Sequence, residues 1–545
     1  MKRIIALCSV LAFVVCSGSA PLSAQSARNG TATPIKHVVI LFGENVSFDH
    51  YFATYPKAAN PPDEPVFKAL PGTPAVNNLV TAHLLRNNPN FTNAANVPNQ
   101  TEPFRLDNTQ AYTASQNHQY MAEQQAYNGG RMDLFPKFTG RGTPGGAGAF
   151  GTNGLVMGYF DGNTVTALWN LAQRYAMSDN AWTDTYGPST PGALNVVAGQ
   201  TNGMLAIATT LKPSTSTYYS YYVDDGQGGY TMINDVDPDF DACSDPADKA
   251  YMTGKNVGDL LSDANITWGG FMGGFDLTVK NPNGTTGCKR STYSTVNGKP
   301  IVDYIPHHNW FAYYISTANS SHERPSSVAA IGRTKAADGS IDPAKHQYDL
   351  EDFYTAVKAG NFPAVSYLKA SAYQDGHANN SNPLDEQAAI VRLVNFLQAR
   401  PEWKDTAIIL AWDDSDGWYD HAYAKPTSPS FNSTDQLNGD ATCGSGQALP
   451  GVGGKPVNGR CGPGTRLPFL VISPWAKSNY VSHKPITQAS VVRFIEDNWL
   501  HGQRLGGGSF DATAGSIMDM FDFKNGGNVP ALRLDPRTGV PVPAR

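Results

Sequence analysis

Apolar residues in this chain fall into two kinds of run. The first is short and unbroken: residues 38–42 (VVILF), 364–368 (AVSYL), 407–412 (AIILAW) and 469–472 (FLVI). Unbroken runs rich in β-branched residues predict strands buried on both faces, the habit of parallel sheets. The second kind has helical spacing. Residues 164–176 (TVTALWNLAQRYA) place Val165, Leu168, Trp169, Leu171 and Ala172 on one stripe, and 386–398 and 487–500 repeat the pattern. Strands separated by helices predict an α/β sandwich on a central, mainly parallel sheet.

Long polar stretches separate these elements. Residues 53–110 are rich in Asn, Pro and Ala, 138–155 in Gly, and 210–300 in Tyr, Asp and Gly; 422–465 hold two cysteines. Such lengths exceed simple connections and read as insertions over one face of a sheet, near 53–155, 210–345 and 422–465 of a single domain spanning 25–545. The glycine run lacks a preceding strand and a following GK[ST], which argues against a phosphate-cradling loop.

The chain's beginning changes the picture of where the protein works. Lys2 and Arg3 precede an apolar stretch, Ile4 to Val15, too short to span a membrane, and Leu22-Ser23-Ala24 offers small residues for cleavage before Gln25. Residues 1–24 therefore read as a secretory signal, and the mature protein as periplasmic or secreted, with no transmembrane segment. Cys8 and Cys16 would leave with the signal. Cys243, Cys288, Cys443 and Cys461 remain as two sequence-local pairs, and two disulfides are the simplest reading among three pairings. A formal net charge of −6 provides no overall positive field for nucleic acid.

Functional groups of an open parallel sheet collect at the carboxyl ends of its strands. The run 38–42 delivers Glu44 and Asn45 there, and 407–412 delivers Asp413 and Asp414. Either pair alone reads as surface carboxylates facing water. Together, at matching strand ends, they call for a hard, oxygen-preferring divalent cation. Ser189 precedes Thr190-Pro191-Gly192, so it falls at the start of a helix, where backbone N–H groups favour phosphate or an alkoxide. An ordinary N-cap serine is the plain alternative, and Thr190 the competing nucleophile. Among twelve histidines, His307, His308 and His377 lie in polar surroundings, and His118 follows an Asn; such groups bind phosphate oxygens or protonate a leaving group.

The segments ENVSFDHYF, GPSTPGAL, DYIPHHNWFAYY, DGH and WDDSDGWYDH resemble, in content and order, the motifs of the bacterial phosphoesterase family. That family holds acid phosphatases and phosphatidylcholine-type phospholipases C and belongs to the alkaline phosphatase superfamily. The resemblance covers roughly residues 35–500. It implies a three-layer α/β/α sandwich of alkaline-phosphatase type. It implies a metal (Ca, Mg, Mn or Zn) held by Glu44, Asn45, Ser189, Asp413 and Asp414, and Ser189 as the nucleophile that becomes phosphorylated. It implies phosphate-contacting histidines at His118, His307, His308 and His377, with Asn45 also at the substrate, and a phosphomonoester or phospholipid as substrate. Two departures stand out. Pro191-Gly192-Ala193 stands where the phospholipase pattern usually has Pro-Asn-Arg, and Asp416-Gly417 where Gly-Gly is usual. With the short C-terminal part, these tilt the reading toward the acid-phosphatase branch. The competing reading is a secreted binding or adhesion protein whose acidic cluster holds a structural calcium.

Overall fold

In the computed structural model, residues 30–141, 152–206 and 221–543 are described. The expected signal peptide, residues 1–24, lies outside them, as do 142–151 of the glycine-rich stretch and 207–220.

Among the described residues, nine strands make the central sheet. They are β1 (His37–Gly43), β2 (Ala176–Trp182), β3 (Trp268–Met272), β4 (Gln347–Asp349), β5 (Val365–Lys369), β6 (Thr406–Trp412), β7 (Arg466–Ile472), β8 (Tyr480–Ser482) and β9 (Ile486–Thr487). Their order is β4-β3-β5-β1-β6-β7-β2-β8, with β9 also on β2. All pairings are parallel except those of β7 with β6 and β2. The run 469–472, expected as a parallel strand, is therefore antiparallel. After β6 the chain stays at the sheet's carboxyl edge, where Arg466 binds Asp420, so it re-enters from that edge and must run backwards.

Five of the nine strands, β2, β3, β4, β8 and β9, lie outside the apolar-run rule, and the two longest of them show why. In β2 (AMSDNAW) Ser178 and Asp179 are buried, and Asp179 accepts from Asn77 N at 2.8 Å. In β3 (WGGFM) a methyl group at Gly270 would stand 2.8 Å from the Phe311 ring, so glycine makes room for an aromatic layer.

The helices used below are α1 (Phe48–Phe52), α2 (Tyr120–Tyr127), α3 (Thr166–Arg174), α4 (Ser189–Ala198), α5 (Val257–Asp263), α6 (Leu350–Lys358), α7 (Pro383–Gln398) and α8 (Ala489–Trp499). On one face α4, α5 and α8 pack on one another, and on the other α3 packs on α7. Strand β5 shows both faces. Tyr367 donates to Val196 O of α4. Its neighbour Leu368 pairs in register with Leu41, which lines a small apolar cavity with Ala389 and Ile390 of α7. The result is a three-layer α/β/α sandwich, as expected. The helix anticipated over 164–176 ends at Arg174 because β2 begins at Ala176, and the one over 487–500 starts at Ala489 because Ile486–Thr487 pairs with β2.

A separate five-stranded sheet gathers 202–206, 222–224, 230–232, 237–238 and 249–252. Both expected disulfides are present, Cys243–Cys288 and Cys443–Cys461.

Candidate active site

Three adjacent parallel strands end side by side and set the floor of the site. Gly43 closes β1 opposite Trp412, and any side chain there would overlap the Trp412 ring at 2.6 Å. Asn45 takes a left-handed backbone (φ 59°), which asparagine tolerates better than most residues. The turn is fastened to the end of β6: Asn45 N donates to Asp413 Oδ1 (2.9 Å) and Val46 N to Asp414 O (2.9 Å). Asp414 N donates to Asp413 Oδ1 (2.8 Å). From β5 comes Lys369, buried against Glu44 Oε1. Beyond β2 the chain turns at Gly187 (φ 116°), whose N–H donates to Glu123 Oε2 at 3.0 Å, and α4 starts at Ser189.

Ser189 Oγ is the point on which these pieces converge. It lies 2.9 Å from Glu44 Oε2, 3.2 Å from Asp414 Oδ2 and 3.5 Å from Asn45 Oδ1. Glu44, Asn45, Ser189, Asp413 and Asp414 are each no more than 2% exposed. Burial, and then the neighbouring Asp413, push the carboxyls of Glu44 and Asp414 well above the usual range. Asp375 rises to about 7, chiefly through burial. Burial alone would lower the Lys369 ammonium, but Glu44, Asp413 and Asp375 raise it. One lysine thus faces several carboxylates, and Asp413 Oδ2 is buried without a hydrogen-bond partner. Carboxylates, an amide oxygen and a hydroxyl form a hard-donor set, and the charge deficit and orphaned oxygen fit a divalent cation.

The histidines divide. His118 Nε2 is 3.4 Å from Asn45 Nδ2, and its Nδ1 is 3.1 Å from Asp416 Oδ1. Burial opposes its charge, but Asp414 and Asp416 hold it well above the ordinary histidine value. His308 Nδ1 is 3.3 Å from Glu44 Oε1. Burial and then His307 and Lys369 keep it neutral, well below the ordinary value. His377 sits between them, its ring centroid 6.0 Å from His118 and 6.3 Å from His308, with Nδ1 donating to Ala378 O. His307 turns outward to Asp237 (3.3 Å).

The helix start differs from expectation. Thr190 N and Oγ1 both bind Asp235 Oδ1 (2.9 and 3.1 Å), and Pro191 has no N–H. The terminus is therefore largely closed to an anion, and Thr190 is already engaged. Ser189 is the residue that reaches the acidic cluster.

The phosphoesterase family model matches residues 35–500. This chain belongs to the phosphoesterase family. Among curated relatives, the non-hemolytic phospholipase C of Pseudomonas aeruginosa is 25% identical over 516 residues, covering 93% of this chain and 60% of that protein. Phospholipase C B of Mycobacterium tuberculosis is 24% identical over 523 residues, covering 93% and 81%. The chain thus spans well under two thirds of the first relative's length. A solved alkaline phosphatase variant is 11% identical, with a TM-score of 0.30, covering 65% of this chain and 93% of that one. That TM-score is too low to bear on the site.

The two departures from the family pattern have physical reasons here. A methyl group at Gly192 would stand 2.4 Å from the carbonyl oxygen of Asp413, so α4 crosses the end of β6 at glycine distance. Ala193 is buried. Asp416, in the left-handed region (φ 53°), keeps a carboxylate where the pattern has glycine. Its oxygens take Ser115 Oγ (2.8 Å) and Gln116 N (3.0 Å) and hold His118.

Sequence reasoning missed Lys369, Asp375, Asp416, Glu123 and Asp235. Lys369 was within reach: it directly follows the run 364–368, so the strand-end rule that found Glu44 applies to it unchanged. Two further ligand-like groups occur among the described residues outside the site. Asp241, Cys243 and His322 lack a thiolate, since Cys243 is disulfide-bonded. Asp49, Asp420 and His421 are already served by the buried Arg466 guanidinium. No helix among the described residues is long and apolar enough to cross a membrane.

Proposed function

We propose that this chain hydrolyses phosphoric esters, with Ser189 as nucleophile and a divalent cation bound by Glu44, Asn45, Asp413 and Asp414. The observation that carries the reading is the buried convergence of Ser189 Oγ on two carboxylates and an amide oxygen. When bound, the cation would polarise a phosphoryl oxygen and favour the serine alkoxide. The rest falls to the chain's own groups. The Ser189 hydroxyl proton leaves to a carboxylate already in hydrogen-bond reach, Glu44 Oε2 or Asp414 Oδ2. Oγ attacks phosphorus as the ester P–O bond breaks, and the alcohol leaves with a proton from a neighbouring histidine or water. Water then attacks the phosphoryl group on Ser189, returning a proton to Oγ and releasing phosphate. His118, held protonated by Asp414 and Asp416, balances charge on the phosphoryl oxygens. His308 and His377 complete the ring around it. Lys369 holds Glu44 by its other oxygen. The apparent leader at 1–24 and the two disulfides support a periplasmic or secreted enzyme.

The test pairs p-nitrophenyl phosphate with p-nitrophenylphosphorylcholine, each with and without chelator, on the parent and on Ser189→Ala. Turnover lost on chelation and restored by metal is expected, with Ser189→Ala slower by about three orders of magnitude or more, roughly 4 kcal/mol. Parent-like activity of Ser189→Ala would overturn the nucleophile assignment. Monoester preference means a phosphatase, and choline-diester preference a phospholipase C.

A further inference from the structure

A cavity of about 470 Å³ opens beside the site, and its wall carries chemistry that the proposed reaction does not use. It begins at Pro188, next to Ser189, and at His118, so it receives whatever is attached to a phosphoryl group held there. Lys137 and Arg141 line it, as do Asn117 and Asn234. Arg141 N donates to Gln116 Oε1 (2.9 Å), which fixes the Arg141 backbone at the cavity wall. Among the described residues Asp235 is the one carboxylate in the lining; its Oδ1 accepts from Thr190 at the start of α4, and it keeps its charge. Two side-chain cations in the lining, Lys137 and Arg141, thus face one carboxylate. A quaternary ammonium group needs aromatic faces or free carboxylates. Among the described residues the one phenyl ring in the lining, Phe138, already carries the Lys137 ammonium 4.9 Å from its centroid.

We propose that this cavity is a leaving-group subsite selecting phosphoesters whose alcohol bears a further anionic group, a carboxylate or second phosphate, over esters of choline. The inference rests on the phosphoesterase reading above and extends it to a substrate class. Lys137 and Arg141 are specificity residues: they meet the alcohol portion, while the phosphoryl group stays with Ser189 and His118.

The experiment measures kcat/KM for four unactivated phosphomonoesters with the metal-loaded protein. 3-Phosphoglycerate and a sugar bisphosphate supply the two anionic sources, glycerol 3-phosphate is neutral, and phosphocholine is cationic. At low salt, at least one anionic substrate should exceed phosphocholine by about tenfold or more, the size expected for one or two partly screened charge contacts, and which one leads identifies the anion. High salt should narrow the ratio. Lys137→Glu and Arg141→Glu, and the milder Lys137→Ala, should each shrink the anionic-to-cationic ratio. Because the readout is a ratio within one protein sample, partial loss of folded protein cancels. Turnover with equal rates, with phosphocholine preferred, or with a ratio unmoved by all three variants would overturn the subsite while leaving the phosphoesterase reading intact. No turnover of any of the four, or of p-nitrophenyl phosphate, would overturn both.

Discussion

Replacing Gly192 with alanine probes how tightly α4, which carries the proposed nucleophile, is set against β6, which leads to the proposed metal ligands. Two effects oppose each other. Alanine in a helix interior gains about 0.5–1 kcal/mol over glycine. The new methyl group would stand 2.4 Å from Asp413 O, 2.8 Å from its carbonyl carbon and 2.9 Å from its Cα. An ordinary contact needs roughly 1 Å more, and because the neighbour is backbone it cannot be relieved by a side-chain rotation. Overpacking of this kind costs about 1–3 kcal/mol. The net loss of stability is therefore small, about 0–2 kcal/mol. The geometric effect is larger. Relief requires α4 to move from the end of β6 by about the missing ångström, and those two elements carry Ser189 and Asp413-Asp414. A misplacement of that size costs about 100-fold in rate. Gly192→Ala should thus lose about two orders of magnitude in kcat/KM on p-nitrophenyl phosphate with a modest change in Tm. The double change Gly192→Asn with Ala193→Arg, which rebuilds the usual family pattern, should be worse in both respects. Gly192→Ala activity within a factor of about two of the parent would refute the claim that close packing of α4 on β6 sets the site.

Other perturbations test the groups around the site. Arg466 is fully buried between Asp420 and Asp49 and lies over the Phe48 ring. Arg466→Met takes the guanidinium from Asp420 and leaves Asp49 with His421 as its ionisable partner, and should cost about 3–5 kcal/mol in urea unfolding; a loss under about 1 kcal/mol would show that the ion network is dispensable. His346 stacks on Trp268 and is pushed down to about 4 by burial. A depressed histidine contributes stability that is complete above its unfolded value and falls as pH drops from about 6.5 to 4, by about 1.4 kcal/mol per unit. The stability advantage of the parent over His346→Gln should therefore shrink by about 3 kcal/mol across that window, and a pH-independent difference would contradict the sign. Asp416→Gly suits the left-handed backbone yet removes the carboxylate beside His118. Since the protonated form is the one invoked, the alkaline fall of kcat/KM should move to lower pH, and an unshifted profile would release His118 from its role.

What could be read from the chain depended on whether the signal was local. The runs 38–42 and 407–412 announce buried strands because both faces are covered, and the polar residues that end them follow at once. Glu44, Asn45, Asp413 and Asp414 were therefore legible as a group. Lys369 obeys the same rule and was passed over because a lysine after a strand looks like an ordinary solvated cation; only its burial beside Glu44 says otherwise. Strand β2 was hidden by Ser178, Asp179 and Asn180, whose hydrogen bonds come from residues far along the chain such as Asn77 and His483. The direction of β7 leaves no local mark at all, because FLVI reads the same whichever way its neighbours run. The residues alone left Thr190 open beside Ser189, and only the family resemblance favoured Ser189; the group that engages Thr190, Asp235, lies some 45 residues away.

The electrostatics of the site argue for a division of labour within one carboxylate. Glu44 gives Oε1 to Lys369 and His308 and Oε2 to Ser189. Asp375 rises to about 7 chiefly through burial, although Lys369 pulls it down, and Glu44 and Asp414 are displaced upward by burial and then by the neighbouring Asp413. The chain's own cations thus leave the cluster short of positive charge on the Ser189 side, where Oε2 of Glu44, Oδ2 of Asp414 and Oδ1 of Asn45 all face one hydroxyl. On the proposed reading that shortfall is functional. The lysine anchors the far oxygen of Glu44 so that the near one cannot rotate away. The remaining negative charge is then concentrated where a divalent cation and the serine oxygen must meet.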